Sequence, residues 1–254
     1  MQKPFQVLTL VCAMAAGLIG PASAVAEPVY KVGATATGIP FTFLDIKSGK
    51  IQGMMVDAAE AVGKAGGFDT EIQQTTFAAL IPSLTTNKID LISAAMLKTP
   101  EREKVVQYSD PIFSYGEGLI VKADDQKDYK SMDDLAGEVV GAQVGTVFLD
   151  ALNKHGGFKE VRSYDSIPDL MRDLKLGRIK AAFGDRPIIA YQLAQGKNPD
   201  VKLSSTYVPV VMGDVCLVMR QGDAEKLAQV NKGIAAIKAD GSLQRIIEKW
   251  QLNR

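Results

Sequence analysis

The chain has 254 residues, of which 46% are apolar, 7% aromatic and 23% charged. That composition supplies one large core or two modest ones and excludes a disordered chain. Lys plus Arg and Asp plus Glu both total 29, so no single-sign field marks a nucleic-acid or membrane-surface binder.

At the N-terminus, Lys3 precedes an apolar run from Phe5 to Ile19, followed by Gly20-Pro21 and the small residues Ala22-Ser23-Ala24 and Ala24-Val25-Ala26. This is the pattern of a secretory signal peptide cleaved after Ala24 or Ala26, and the run is shorter than the ~20 residues that span a bilayer. Cleavage removes Cys12 and leaves Cys216 alone in an apolar stretch, where a packed thiol and no intrachain disulfide are expected. No later stretch approaches ~18 consecutive apolar residues. The expected product is therefore periplasmic, with no stable membrane insertion.

Residues 29–34 read as a strand, 56–62 as a helix opening at Asp57 with that acid as its cap, and 70–74 as an alternating strand. Leu80, Ile81 and Leu84 make a helical stripe within 77–84, and Ile89-Asp90-Leu91-Ile92 follows as a buried strand. Thr99-Pro100-Glu101-Arg102 is a helix start: Thr99 can cap free N–H groups, and Pro100 suits the first position, where its missing donor costs nothing. Arg102 therefore falls in a first turn. Residues 118–122 are a strand, and the charged stretch 123–130 reads as a lobe boundary.

Beyond it, Ser131 caps a helix with Asp134 three residues on, 139–142 form a strand and 146–152 a helix. Ser166-Ile167-Pro168-Asp169 opens another helix that carries Leu170, Met171 and Leu174 and ends before Gly177; 181–183 are the next strand. Residues 208–219 are two apolar runs broken by Gly213-Asp214. The segment 223–250 is an amphipathic helical tail, stopped at Gly241 and restarted at Ser242. Helices alternating with strands in this way predict an α/β architecture with parallel sheets.

After cleavage the chain keeps one histidine, His155 in a loop-like segment, and one cysteine; no metal set, cofactor or catalytic residue is expected from them. Gly63-Lys64-Ala65-Gly66-Gly67 ends a helix and does not join a strand to one, so it is no phosphate loop. The helix starts at Thr99 and Thr146 offer N–H groups to an anion, and Arg102 adds a bidentate fork, a set suited to a carboxylate. Asp185 follows an apolar strand, where open α/β sheets place ligand groups, and can hold an ammonium.

The stretch Ala79-Leu80-Ile81-Pro82-Ser83-Leu84, then Lys88-Ile89-Asp90, Thr99-Pro100-Glu101-Arg102 and Ser109-Asp110-Pro111, resembles the polar amino-acid family, family 3, of bacterial periplasmic solute-binding proteins. Gly145-Thr146, Gly177-Arg178-Ile179 and Lys238-Ala239-Asp240-Gly241-Ser242 with Trp250 extend the likeness over about 29–251. The resemblance implies an α/β fold of two lobes, each a mainly parallel sheet flanked by helices, joined by two crossing strands. Residues 1–26 would be the signal peptide, 27–113 with 214–254 the first lobe, and 114–213 the second. It further implies a monomeric receptor that closes by hinge motion on an amino acid or amino-acid derivative and delivers it to an ABC permease.

Carried over by position, the resemblance makes Arg102 the holder of the ligand α-carboxylate and the Gly145-Thr146-Val147 turn the second lobe's contact to it. Asp185 becomes the ammonium partner and Phe77 a wall, with Ala95 and Leu97 completing the site. Gly38 stands where the family usually has an aromatic, Leu97 replaces a common serine or threonine, Val147 stands where a second hydroxyl is frequent, and Met55 replaces a frequent aspartate. These departures imply a less polar, roomier pocket and a ligand of substantial apolar content held by its charged head group. A few proteins that resemble the family are dehydratases of cyclic carboxylates, and Glu117, near the expected hinge, is the residue that could donate a proton there.

Overall fold

The computed structural model describes residues 26–253. The expected signal peptide lies, apart from Ala26, outside the described residues, as does Cys12.

Two sheets organise the chain. The first has the order Asp69–Gln74, Val29–Ala34, Leu91–Ile92, Val218–Arg220, Val106–Tyr108. Val29–Ala34 runs parallel to both of its neighbours, while Val218–Arg220 enters antiparallel between Leu91–Ile92 and Val106–Tyr108. A strand from the last quarter of the chain is thus built into a sheet made by strands of the first half. The helices Met54–Gly66, Ala224–Ala239 and Ser242–Lys249 belong to this unit. Met54, Met55, Val62, Phe68, Val230 and Ile234 are buried among them, each such side chain contributing roughly 1.5–3 kcal/mol relative to exposure.

Close approach of two of these helices depends on Gly233, where a Cβ would lie 2.2 Å from the Val62 carbonyl oxygen. The tail is pinned as well. Lys249 Nζ and Trp250 Nε1 each donate to Asp57 Oδ2 at 2.7 Å. Asp57 was expected to cap its helix; the helix instead begins at Met54 behind Gly53, and the carboxylate is turned to the C-terminal segment.

The second sheet has the order Glu160–Tyr164, Val139–Gln143, Ala181–Asp185, Phe113–Lys122, Val201–Leu203, with Met212–Val215 also paired to Phe113–Lys122. Its first three strands are parallel and the remainder antiparallel. Helices Val147–His155, Ile167–Lys175 and Arg186–Ala194 flank it. The sequence reading of the first two starts holds: Thr146 Oγ1 accepts from Leu149 N at 3.3 Å and Ser166 Oγ from Asp169 N at 3.3 Å, the local bond that N-capping requires. Ser131 and Asp134 form a reciprocal capping box, although the segment they open, Met132–Leu135, is a 3-10 turn.

The ten-residue strand Phe113–Lys122 links the two units. Phe113 to Gly116 pair with Met212–Val215, and Glu117 to Ile120 pair with Ala182 to Asp185. Two extended segments therefore cross between the lobes side by side. The charged stretch 123–130, read from composition as a boundary, lies beyond this crossing and is anchored within the second unit. Tyr129 there is fully buried, and Asp125 pairs with Lys180 at 2.8 Å. A small three-stranded sheet, Thr37–Gly38, Thr42–Asp45 and Lys50–Gln52, stands at the edge of the first lobe. No helix among the described residues is long and apolar enough to cross a membrane.

Candidate functional site

Arg102 is presented by the short helix Pro100–Glu103, capped by Thr99, whose Oγ1 accepts from Arg102 N at 3.2 Å. With the backbone of the first turn held, the side chain reaches out of the first lobe. Nη1 donates to the Leu97 carbonyl at 2.6 Å, and Nη2 crosses to the second lobe and donates to the Gly145 carbonyl at 2.9 Å. The guanidinium also sits 6.0 Å from the centre of the Phe77 ring, within the range of a cation–π contact.

Gly145 has φ of 78°, and a Cβ there would lie 3.0 Å from Ala78 Cα. Only a residue without a side chain allows the two backbones to meet this closely in that conformation. The next residue, Thr146, is buried; it donates to the Gln143 carbonyl at 2.7 Å and caps the helix Val147–His155.

Asp185 ends the strand Ala181–Asp185 and precedes the helix Arg186–Ala194, without a side-chain capping bond. Its Oδ1 accepts a hydrogen bond from the Tyr115 hydroxyl. Burial pushes the carboxyl up to about 6, against the lowering effect of that bond and of the Arg102 charge. The Tyr115 hydroxyl lies 3.0 Å from the Ala95 carbonyl as well, so one phenol oxygen touches backbone from the first lobe and the carboxylate of the second. Burial and the neighbouring Asp185 charge raise the Tyr115 hydroxyl well above its ordinary value. Phe41 stacks on Tyr115 at 5.6 Å between ring centres and holds the ring in place.

Between the lobes, a cavity of about 20 Å³ is lined by Gly38, Phe77, Ala95 and Asp185, together with Thr35, Thr42, Gln143 and Ile188. Behind it a second space of about 10 Å³ shares Gln143, Ile167 and Asp185 and adds Thr146. The structure thus brings five of the eight expected site residues to these two cavities. Arg102 lines neither and is joined to both lobes through the Leu97 and Gly145 carbonyls. Leu97 is buried in the core and offers its carbonyl to Arg102; Val147 packs its side chain against the apolar core.

Sequence reasoning missed Tyr115, Thr35 and Gln143. An aromatic in a strand gives no sign of facing an aspartate 70 positions away until the pairing of Asp185 with Glu117 sets the register. Glu117, expected near the hinge, is 0% exposed. Its Oε1 accepts from the Tyr207 hydroxyl at 2.6 Å and from Val210 N at 2.9 Å, and it lines neither cavity. His155 closes the helix Val147–His155 3.2 Å from Asp133. Among the described residues no group of three or more His, Cys, Asp or Glu could hold a metal ion.

Residues 30–253 match the bacterial extracellular solute-binding proteins, family 3. The L-cystine-binding protein TcyJ of Escherichia coli (strain K12) is 31% identical over 219 residues, 86% of this chain and 81% of that protein. ABC transporter arginine-binding protein 1 of the same strain is 32% identical over 220 residues, 86% of this chain and 88% of the relative. Among solved structures, the P235GK mutant of ArgBP from T. maritima superposes with a TM-score of 0.81 at 34% identity, covering 89% of this chain and 96% of that one.

Proposed function

This chain belongs to the bacterial extracellular solute-binding proteins of family 3, and we propose that it binds an amino acid between its lobes and delivers it to an ABC transporter permease. The observation that supports the reading is that Asp185 of the second lobe lines the interlobe cavity while the Arg102 guanidinium of the first lobe reaches across to the Gly145 carbonyl of the second and lowers the Asp185 pKa by its charge. A zwitterionic head group needs such a pair, and a ligand that bridges the two lobes favours their closed arrangement.

In this reading Arg102 takes the carboxylate in its fork and the Gly145-Thr146-Val147 turn contributes backbone to it. Asp185, oriented by Tyr115, takes the ammonium. Phe77 and Gly38 bound the side-chain space, with Ala95 and Leu97 supplying backbone around it. The lobes divide at 113/114 and 213/214, within the segment where Tyr115 pairs with Gly213 and Ser114 with Asp214. The protein works as a monomer in the periplasm after loss of residues 1–26.

The activity is reception without turnover. Glu117, the residue expected as a proton donor, has one oxygen committed to Tyr207 and Val210 and lines neither cavity. The test is ligand-dependent thermal stabilisation. An α-amino acid should raise the melting temperature, whereas its decarboxylated and deaminated analogues should raise it far less. Equal shifts from all three would remove the head-group reading, and consumption of prephenate or arogenate by the purified protein would replace reception with catalysis. Mass spectrometry of the small molecule released on denaturation names the ligand directly.

A further inference from the structure

The charges at the cleft can be counted. Among the described residues that line the interlobe cavity and the second-lobe space that adjoins it, Asp185 is the one ionisable side chain, while Arg102 lines neither and reaches across the lobes to the Gly145 carbonyl. Every other polar group there is neutral. Thr35 and Thr42 share a hydrogen bond of 2.7 Å between hydroxyls, and Gln143 gives its amide to the Asp165 carbonyl at 3.0 Å. Phe41, Phe77 and Ile188 supply apolar wall. The nearest acid in the sheet register, Glu117 opposite Asp185, spends Oε1 on the segment 207–210 and reaches neither cavity.

We infer that the ligand carries no charge on its side chain, because Arg102 and Asp185 are both consumed by the head group. This rests on the head-group reading given above. A cationic side chain enclosed here would lie among hydroxyls, an amide and hydrocarbon with no carboxylate left to pair it, and an anionic one would lack a cation. Taking an ion out of water without a partner is costly, more so than any hydroxyl contact repays. The inference separates this chain from its relative named for arginine, despite 32% identity, since a few side chains at the cavity set the charge balance while the rest of the chain sets the fold. The hydroxyls and amide left on the wall suit a neutral side chain that is part apolar and part hydrogen-bonding.

Isosteric pairs test this on the full chain: arginine against citrulline, lysine against 2-aminoheptanoate, and glutamate against glutamine, each titrated calorimetrically at constant ionic strength. The neutral member of the best-bound pair should bind at least about tenfold more tightly than its charged partner. Arginine, lysine or glutamate binding as tightly as its neutral partner would overturn the inference while leaving the head-group reading in place. If no member of any pair, charged or neutral, binds or shifts the melting temperature, the inference falls together with the reading beneath it.

Discussion

Arg102 Nη2 donates to the Gly145 carbonyl at 2.9 Å, from the first lobe to the second and across 43 positions of sequence. With Nη1 on the Leu97 carbonyl, two of the guanidinium's five N–H groups are committed to backbone. The bond joins the lobes at the point where Gly145 meets Ala78. The residue proposed to hold the ligand is therefore also one that holds the closed arrangement, and substitutions there should separate the two roles.

Replacing Arg102 by alanine should remove most of the ligand-dependent rise in melting temperature. The expected loss is roughly 2–5 kcal/mol of binding, since the ligand carboxylate is left in the cleft without its charge partner. Arg102→Lys should recover little, because a single ammonium cannot reproduce the planar fork. An undiminished rise in the alanine variant would refute the assignment.

Asp185, if it holds the ammonium as proposed, should make binding depend on pH. Burial lifts its carboxyl to about 6, while the ammonium of the ligand requires the charged form. Below that value binding must expel a proton, and affinity should fall by up to about tenfold per pH unit. The sign for the protein without ligand is opposite. The folded value lies above the unfolded one, about 3.9, so the stability that Asp185 contributes is greatest in acid and is lost as pH rises through about 6. Asp185→Asn should flatten both slopes and weaken amino acids more than analogues lacking the amine. Equal weakening of the two would mean that Asp185 does not read the ammonium.

Gly145→Val tests closure. The carbonyl that accepts from Arg102 remains, but the new side chain meets Ala78 at 3.0 Å or less and is strained at φ of 78°, a cost of roughly 1–3 kcal/mol. Small-angle scattering with saturating ligand should give a larger radius of gyration than the parent chain, with weaker binding. An unchanged radius and affinity would show that the contact is dispensable.

The Tyr108 hydroxyl is buried without a hydrogen-bond partner in a side chain 8% exposed, and burial pushes its pKa up to about 12. Tyr108→Phe deletes a buried polar atom that has no partner at hydrogen-bond geometry and whose favourable neighbour is the Arg102 guanidinium. Thermal or chemical denaturation should show stability unchanged or raised by up to about 1 kcal/mol. A clear loss of stability would reveal that the hydroxyl is engaged.

Much of this molecule can be read along the chain because its signals are short-range. Thr99, Thr146 and Ser166 cap their helices where capping chemistry places them, since a cap needs only the next three residues. The alternation of strands and helices led to the α/β class for the same reason, while the two lobes followed from the family resemblance carried by the motifs from Leu80 to Trp250. Asp57 shows the limit of that kind of signal. It looks like a helix start from its neighbours, but Trp250 and Lys249, 193 and 192 positions on, hold its carboxylate.

The site itself belongs to the long-range part. Tyr115 meets Asp185 through strand register, Gly145 meets Ala78 through lobe closure, and Thr35, Thr42 and Gln143 become neighbours of one cavity only when both sheets are assembled. Val147 stands at the ligand by position, yet its side chain packs, partly buried, against the core. Residue type and spacing specify which groups a chain can present; their distances, burial and charge balance arise from contacts between segments far apart, where packing selects one arrangement from many that local preference allows.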